Sequence, residues 1–90
     1  MSLKVGENVV WNAVEGELVL LNADTGTYYA LDDVGSDIWR LLTELESVEP
    51  VKVRMAEMYE VDTETLSADV DRLVGEFLET CLLVRGPEVV

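Results

Sequence analysis

The sequence predicts an α+β domain of winged-helix-like form, a three-stranded antiparallel meander followed by three helices. Two observations carry this. Up to residue 31, short β-branched and aromatic runs are separated by turn residues. From Asp33 onward the apolar spacing becomes helical. With 90 residues, 49% of them hydrophobic, residues 1–90 are expected to fold as a single domain with one compact core.

The first strand is read over 8–14, "NVVWNAV", and Glu15-Gly16 supplies a tight hairpin turn. The second, 17–21 "ELVLL", is nearly continuous in apolar character, so both its faces are expected to be at least partly covered. "NADTGT" (22–27) reads as a type I turn closed by a glycine at positive φ. "TYYAL" (27–31) is the third strand. Alternation sends Tyr28 and Tyr29 to opposite faces, and the residues do not say which one meets the core.

Helix signals follow. Ile38, Leu41, Leu42 and Leu45 recur at i, i+3, i+4 and i+7, with Asp33 or Ser36 as the cap. Pro50 sits where a first-turn proline belongs and opens a helix over about 50–59 that buries Val51, Met55, Met58 and Tyr59. Asp62 caps a third helix, 63–80, whose stripe is Leu66, Val70, Leu73, Val74, Phe77 and Leu78. "CLLVRG" is a short tail with strand character, closed by Gly86-Pro87.

Composition narrows the chemistry. There is one cysteine and no histidine, which removes the usual zinc and haem ligands and histidine-based catalysis, so neither cofactor nor metal is expected. Cys81, beside Leu82 and Leu83, reads as a buried inert thiol, and a chain unable to form an internal disulfide suits the cytoplasm. No apolar run approaches the roughly 20 residues of a membrane span, and "MSLKVGENVV" lacks a signal-peptide layout. Nineteen acids against six bases, net −13, disfavour nucleic acid. A helix-turn-helix reading of the last two helices fails on the same ground, since Arg72 is the one base among Glu64, Asp69, Asp71, Glu76 and Glu79. Paired carboxylates such as Asp32 with Asp33 lack a supporting site. Asp69, Arg72 and Glu76 form an ordinary helical ion-pair ladder.

Protein binding remains. Strand 27–31 contains no proline, lysine or charge, the common defences of an edge, so it is either covered by the protein or accepts another strand. The residues alone leave both readings open.

Taken in order, "GELVLLNADTGTYYALDDVGSDIWRLL" and "YEVDTETLSADVDRLVGEFLETCLLV" resemble the PqqD-like proteins, also described as RiPP precursor peptide recognition elements, over about 9–85. The resemblance implies a non-catalytic domain that binds the leader region of a ribosomally made precursor peptide. The leader would add as a strand along Thr27, Tyr28, Tyr29, Ala30 and Leu31. The flank of helix 63–80 bearing Asp69, Arg72, Leu73 and Glu76 would form the opposite wall. "NADTGT" and "CLLV" depart from PqqD of pyrroloquinoline quinone synthesis. The stretch "VLLNADTGTYYAL" is more similar to the stand-alone recognition protein of lasso peptide systems, which hands its precursor to a leader peptidase or modifying enzyme. The alternatives are a PqqD-type peptide chaperone, or a self-associating scaffold whose edge pairs with its own copy. The oligomeric expectation is a monomer or a strand-exchanged dimer.

Overall fold

A computed structural model describes residues 2–86. Its elements are β1 (Leu3–Val5), β2 (Val9–Val14), β3 (Glu17–Asn22), β4 (Thr27–Leu31), α1 (Asp33–Leu45), α2 (Val48–Met58), α3 (Thr63–Glu79) and β5 (Leu83–Arg85). The meander β2-β3-β4 and the three helices are as the sequence predicts. In addition, β1 and β5 pair antiparallel as a separate two-stranded sheet. β1 is too short to show a period, whereas the tail expected to have strand character does pair, over 83–85. The predicted stop at Gly86-Pro87 lies partly outside the described residues, which end at Gly86.

Turn chemistry sets the register. Val14 faces Glu17 across the two-residue turn, where Glu15 and Gly16 both take positive φ (52° and 86°), as a hairpin matched to strand twist requires. The next hairpin closes on Asn22 opposite Thr27, with Gly26 at φ 72° donating its N–H to the Asn22 carbonyl. One row across the sheet is Trp11-Leu20-Tyr29, on the helix side, and the adjacent row is Val10-Leu21-Tyr28, on the outer side. Tyr29 is accordingly half-buried against the core and Tyr28 is 68% exposed. The outer side of β3 is only half covered, at Val19 and Leu21.

The core lies between this sheet and the helices. Leu20, Ile38, Trp39, Leu42, Val51, Met55 and Val70 are fully buried in it. Trp39 stacks edge-to-face with Trp11 (centroids 5.6 Å apart) on one side and with Phe77 (5.1 Å) on the other. Its indole N–H has no hydrogen-bond acceptor, so it is an orphan donor within an aromatic cluster.

Several helix details correct the sequence reading. The cap of α1 is Asp32, whose carboxylate accepts from the Gly35 N–H at 2.8 Å; Asp33 is the first helical residue. Ser36 is not a cap either: it is buried and works between two strands, as described below. Helix α2 begins at Val48 after Ser47, which places Pro50 in the first turn, where its missing N–H costs no bond. Met58 is exposed because α2 ends there and the chain turns away, leaving Val51 and Met55 buried and Tyr59 half-buried. Leu73 and Leu78 of α3 are only partly buried. Cys81 is exposed, not buried. It is the left-handed residue (φ 60°) just beyond α3, and that conformation turns its side chain out while Leu82 and Leu83 enter the core.

Candidate functional site

The two edges of the meander are not equivalent. Across the Glu15-Gly16 hairpin, Val14 and Glu17 form the closing hydrogen-bonded pair, so Glu17 turns its main-chain groups toward β2 and Leu18 turns its own toward β4. Continuing the alternation, Thr27, Tyr29 and Leu31 bond to β3, and the amides and carbonyls of Tyr28 and Ala30 turn to the open side of β4. Among the described residues no loop or side chain accepts a hydrogen bond from the amides of Tyr28 and Ala30.

On β2 the outward amides are those of Val9, Trp11 and Ala13. Val9 donates to the Gly6 carbonyl at 3.2 Å and Ala13 to its neighbour's side chain, Asn12 Oδ1, at 3.0 Å. One edge is largely closed by its own chain, and the other is open.

Ser36 fixes the end of the open strand. Its hydroxyl accepts from the Leu18 N–H at 3.1 Å and donates to the Leu31 carbonyl at 3.2 Å, adding a side-chain rung where the β3–β4 ladder ends. Asp32 follows directly, so strand and helix are joined without slack.

Below the open edge, β4 and α3 enclose a trough made of two adjoining cavities. The first, about 510 Å³, is walled by Tyr28 to Leu31 and by Leu73, Phe77 and Leu82, with Glu76, Glu79 and Thr80 along its margin. The second, about 500 Å³, runs from Ala30 and Leu31 past Asp32, Val34 and Gly35 to Asp69, Arg72 and Glu76. Ala30, Leu31, Leu73 and Glu76 belong to both. Arg72 lies 3.9 Å from Asp69 and 3.4 Å from Glu76, the helical ladder expected from the spacing.

The structure thus brings Tyr28, Tyr29, Ala30, Leu31, Asp69, Arg72, Leu73 and Glu76 into one trough. Thr27 stays with the hairpin, where its hydroxyl accepts from Thr25 and it lines neither cavity. Sequence reasoning missed Phe77, Glu79, Thr80 and Leu82 in the first cavity and Asp32, Val34 and Gly35 in the second. The signal was available for Phe77 and Thr80, four and seven residues on from Leu73 on the same helix flank.

This fold defines a class: a winged-helix-like domain with one open strand edge above a half-apolar trough. Residues 17–83 match the family described as coenzyme PQQ synthesis protein D (PqqD), and the chain belongs to that family. Two solved structures superpose on it. One, TbiB1 in complex with the TbiA(beta) leader peptide, is 34% identical with a TM-score of 0.85, over 94% of this chain and 99% of that one. The other, a lasso peptide synthetase B1 complexed with the leader peptide, is 21% identical with a TM-score of 0.85, over 94% of this chain and 100% of that one. No curated protein sequence matches. Among the described residues no helix is long and apolar enough to cross a membrane, and no group of three or more His, Cys, Asp or Glu is placed to hold a metal ion.

Proposed function

We propose that this protein is a non-catalytic adaptor that binds the leader of a ribosomally made precursor peptide, of lasso type, and presents it to a leader peptidase or modifying enzyme. The observation that carries the reading is the pair of outward-facing residues Tyr28 and Ala30 above an apolar cavity. A peptide laid along β4 pairs its backbone with theirs, and alternate side chains drop into the trough. Tyr29, Leu73 and Phe77 supply apolar contact; Asp69, Arg72 and Glu76 supply polar contact on the opposite wall. Leader binding is supported by the 34% identical relative, which was solved with a leader peptide. By holding its substrate beside an enzyme, such a domain raises the effective concentration of a dilute precursor.

The test is a titration with the TbiA(beta) leader peptide, followed by tryptophan fluorescence. Phe77 lines the trough and packs on Trp39, which gives the readout a physical route. Saturable binding that Ala30→Pro abolishes is expected, since proline removes an outward donor while sparing the β3 ladder. Ala13→Pro, on the closed edge, is expected to bind as wild type. A folded Ala30→Pro variant that binds normally rejects strand addition at β4. The same open edge could instead accept a second copy. A stable dimer that is indifferent to the peptide, by size exclusion with light scattering, would favour the scaffold reading.

A further inference from the structure

Building on the leader-binding reading, we infer that the bound peptide places a basic side chain at the Leu31 end of β4 and an apolar side chain at the Tyr29 end. The two cavities of the trough are continuous, yet their walls differ in kind. At the Tyr29 end the walls are mostly carbon, from Tyr29, Leu73, Phe77 and Leu82, with Glu76, Glu79 and Thr80 also lining the cavity. At the Leu31 end the charged groups are Asp32, Asp69, Glu76 and Arg72, three carboxylates against one guanidinium.

Arg72 does not offset this surplus for a ligand. It lies within 4 Å of both Asp69 and Glu76, so an acidic side chain entering there would have to break that ladder and would still face Asp32. A lysine or arginine enters at no such cost. It finds carboxylate oxygens on two sides of the cavity, from the β4–α1 junction and from α3. The long-range field acts in the same sense, because a chain of net charge −13 draws in cations and repels anions before contact.

The extended geometry of an added strand lets one ligand satisfy both requirements. Residues two apart point to the same face, roughly 7 Å from one another. A basic and an apolar residue separated by two or four positions therefore reach the two cavities together. Backbone pairing with Tyr28 and Ala30 sets the register, and the contrast between the cavities selects the sequence.

The experiment measures affinity for the TbiA(beta) leader peptide in wild type, Asp69→Asn, Glu76→Gln and Arg72→Gln, at low salt and near 1 M salt. These side chains are solvent-accessible, so the variants should fold, which circular dichroism verifies. At low salt each acid-neutralising change is expected to weaken binding about two- to five-fold, and Arg72→Gln to tighten it by a similar factor. All three differences shrink at high salt. Replacing every Lys and Arg of the leader by Gln is expected to weaken its binding to wild type and erase its sensitivity to Glu76→Gln.

Reversed signs overturn the inference. So does indifference to all three substitutions while Ala30→Pro still abolishes binding, and that result leaves the adaptor reading intact. Absence of binding by wild type, or normal binding by Ala30→Pro, overturns the adaptor reading and the inference with it.

Discussion

The side-chain amide of Asn22 donates to the main-chain carbonyl of Thr80, 3.1 Å away and 58 positions along the chain. Its carbonyl oxygen meanwhile accepts from the Asp24 N–H. One buried side chain thereby holds the β3–β4 hairpin against the C-terminal end of α3, at the end of the trough where Thr80 forms part of the margin. Replacing Asn22 by Ala leaves a carbonyl and an amide without partners, at a cost of about 1–3 kcal/mol. Urea unfolding should show this as a lower midpoint at unchanged slope. An unchanged midpoint would mean that water replaces both bonds. Asn22→Asp should not rescue, because a carboxylate cannot donate to the Thr80 carbonyl.

Ser36 bridges Leu18 and Leu31 in the same economical way. Its replacement by Ala orphans a buried amide and a carbonyl and should cost about 1–3 kcal/mol. The more specific expectation concerns where the loss falls. Amide hydrogen exchange should quicken at Leu18 and along β4, with the middle of α3 little changed. Uniform acceleration over the whole chain would instead indicate that β4 opens only with global unfolding.

The turn after α3 contains a removable strain. Leu82 donates to the Phe77 carbonyl and Cys81 to the Leu78 carbonyl, the paired bonds of a helix stop whose left-handed residue is most often glycine. Here that residue is Cys81, at φ 60°. Cys81→Gly should stabilise the fold by about 1 kcal/mol, because the Cβ clash of a left-handed residue disappears. Cys81→Val, β-branched at the same φ, should destabilise it. Equal thermal midpoints for all three forms would show that the turn tolerates a Cβ without strain.

Alkaline pH should act through Tyr59. Its hydroxyl donates to Asp37, and that hydrogen bond, helped by desolvation and by the charges of Asp37, Asp33 and Asp32, pushes its pKa up from 10.0 to about 12. The folded state holds the phenol proton more tightly than the unfolded chain does. The bond's contribution is therefore complete below pH 10 and is lost as pH rises from about 10 to about 12. Stability should fall across that window, and Tyr59→Phe should be less stable below it and flatter within it. The absorbance of the Tyr59 phenolate, found by difference against Tyr59→Phe, should rise late. A rise near pH 10 would contradict the shift.

The meander and the three helices were legible because each leaves a long-range mark: β-branched runs punctuated by Gly16 and Gly26, then apolar residues at helical spacing. The open edge was legible as an absence, since no proline, lysine or charge guards residues 27–31. Less visible was everything decided by tertiary pairing. β1 has three residues and acquires its conformation from β5, 78 or more positions away in register. The burial of Cys81 was misjudged because its apolar neighbours say nothing about φ, and here the left-handed turn after α3 leaves its side chain exposed. Choosing between Tyr28 and Tyr29 required the hairpin register, which a one-residue slip would have reversed.

The partial self-sealing of β2 makes the two edges of the sheet unequal. Were both edges receptive, the β4 side of one molecule could join the β2 side of the next, a head-to-tail contact that does not close and so builds filaments. With Val9 and Ala13 already bonded within their own chain, only the Trp11 amide of that edge is left to offer, and the polymerisation has a poor second terminal. A second copy pairing β4 to β4 uses up both open edges and so closes the series instead of extending it. A small domain can in this way keep an unguarded strand exposed in a crowded cell without becoming a seed for fibres.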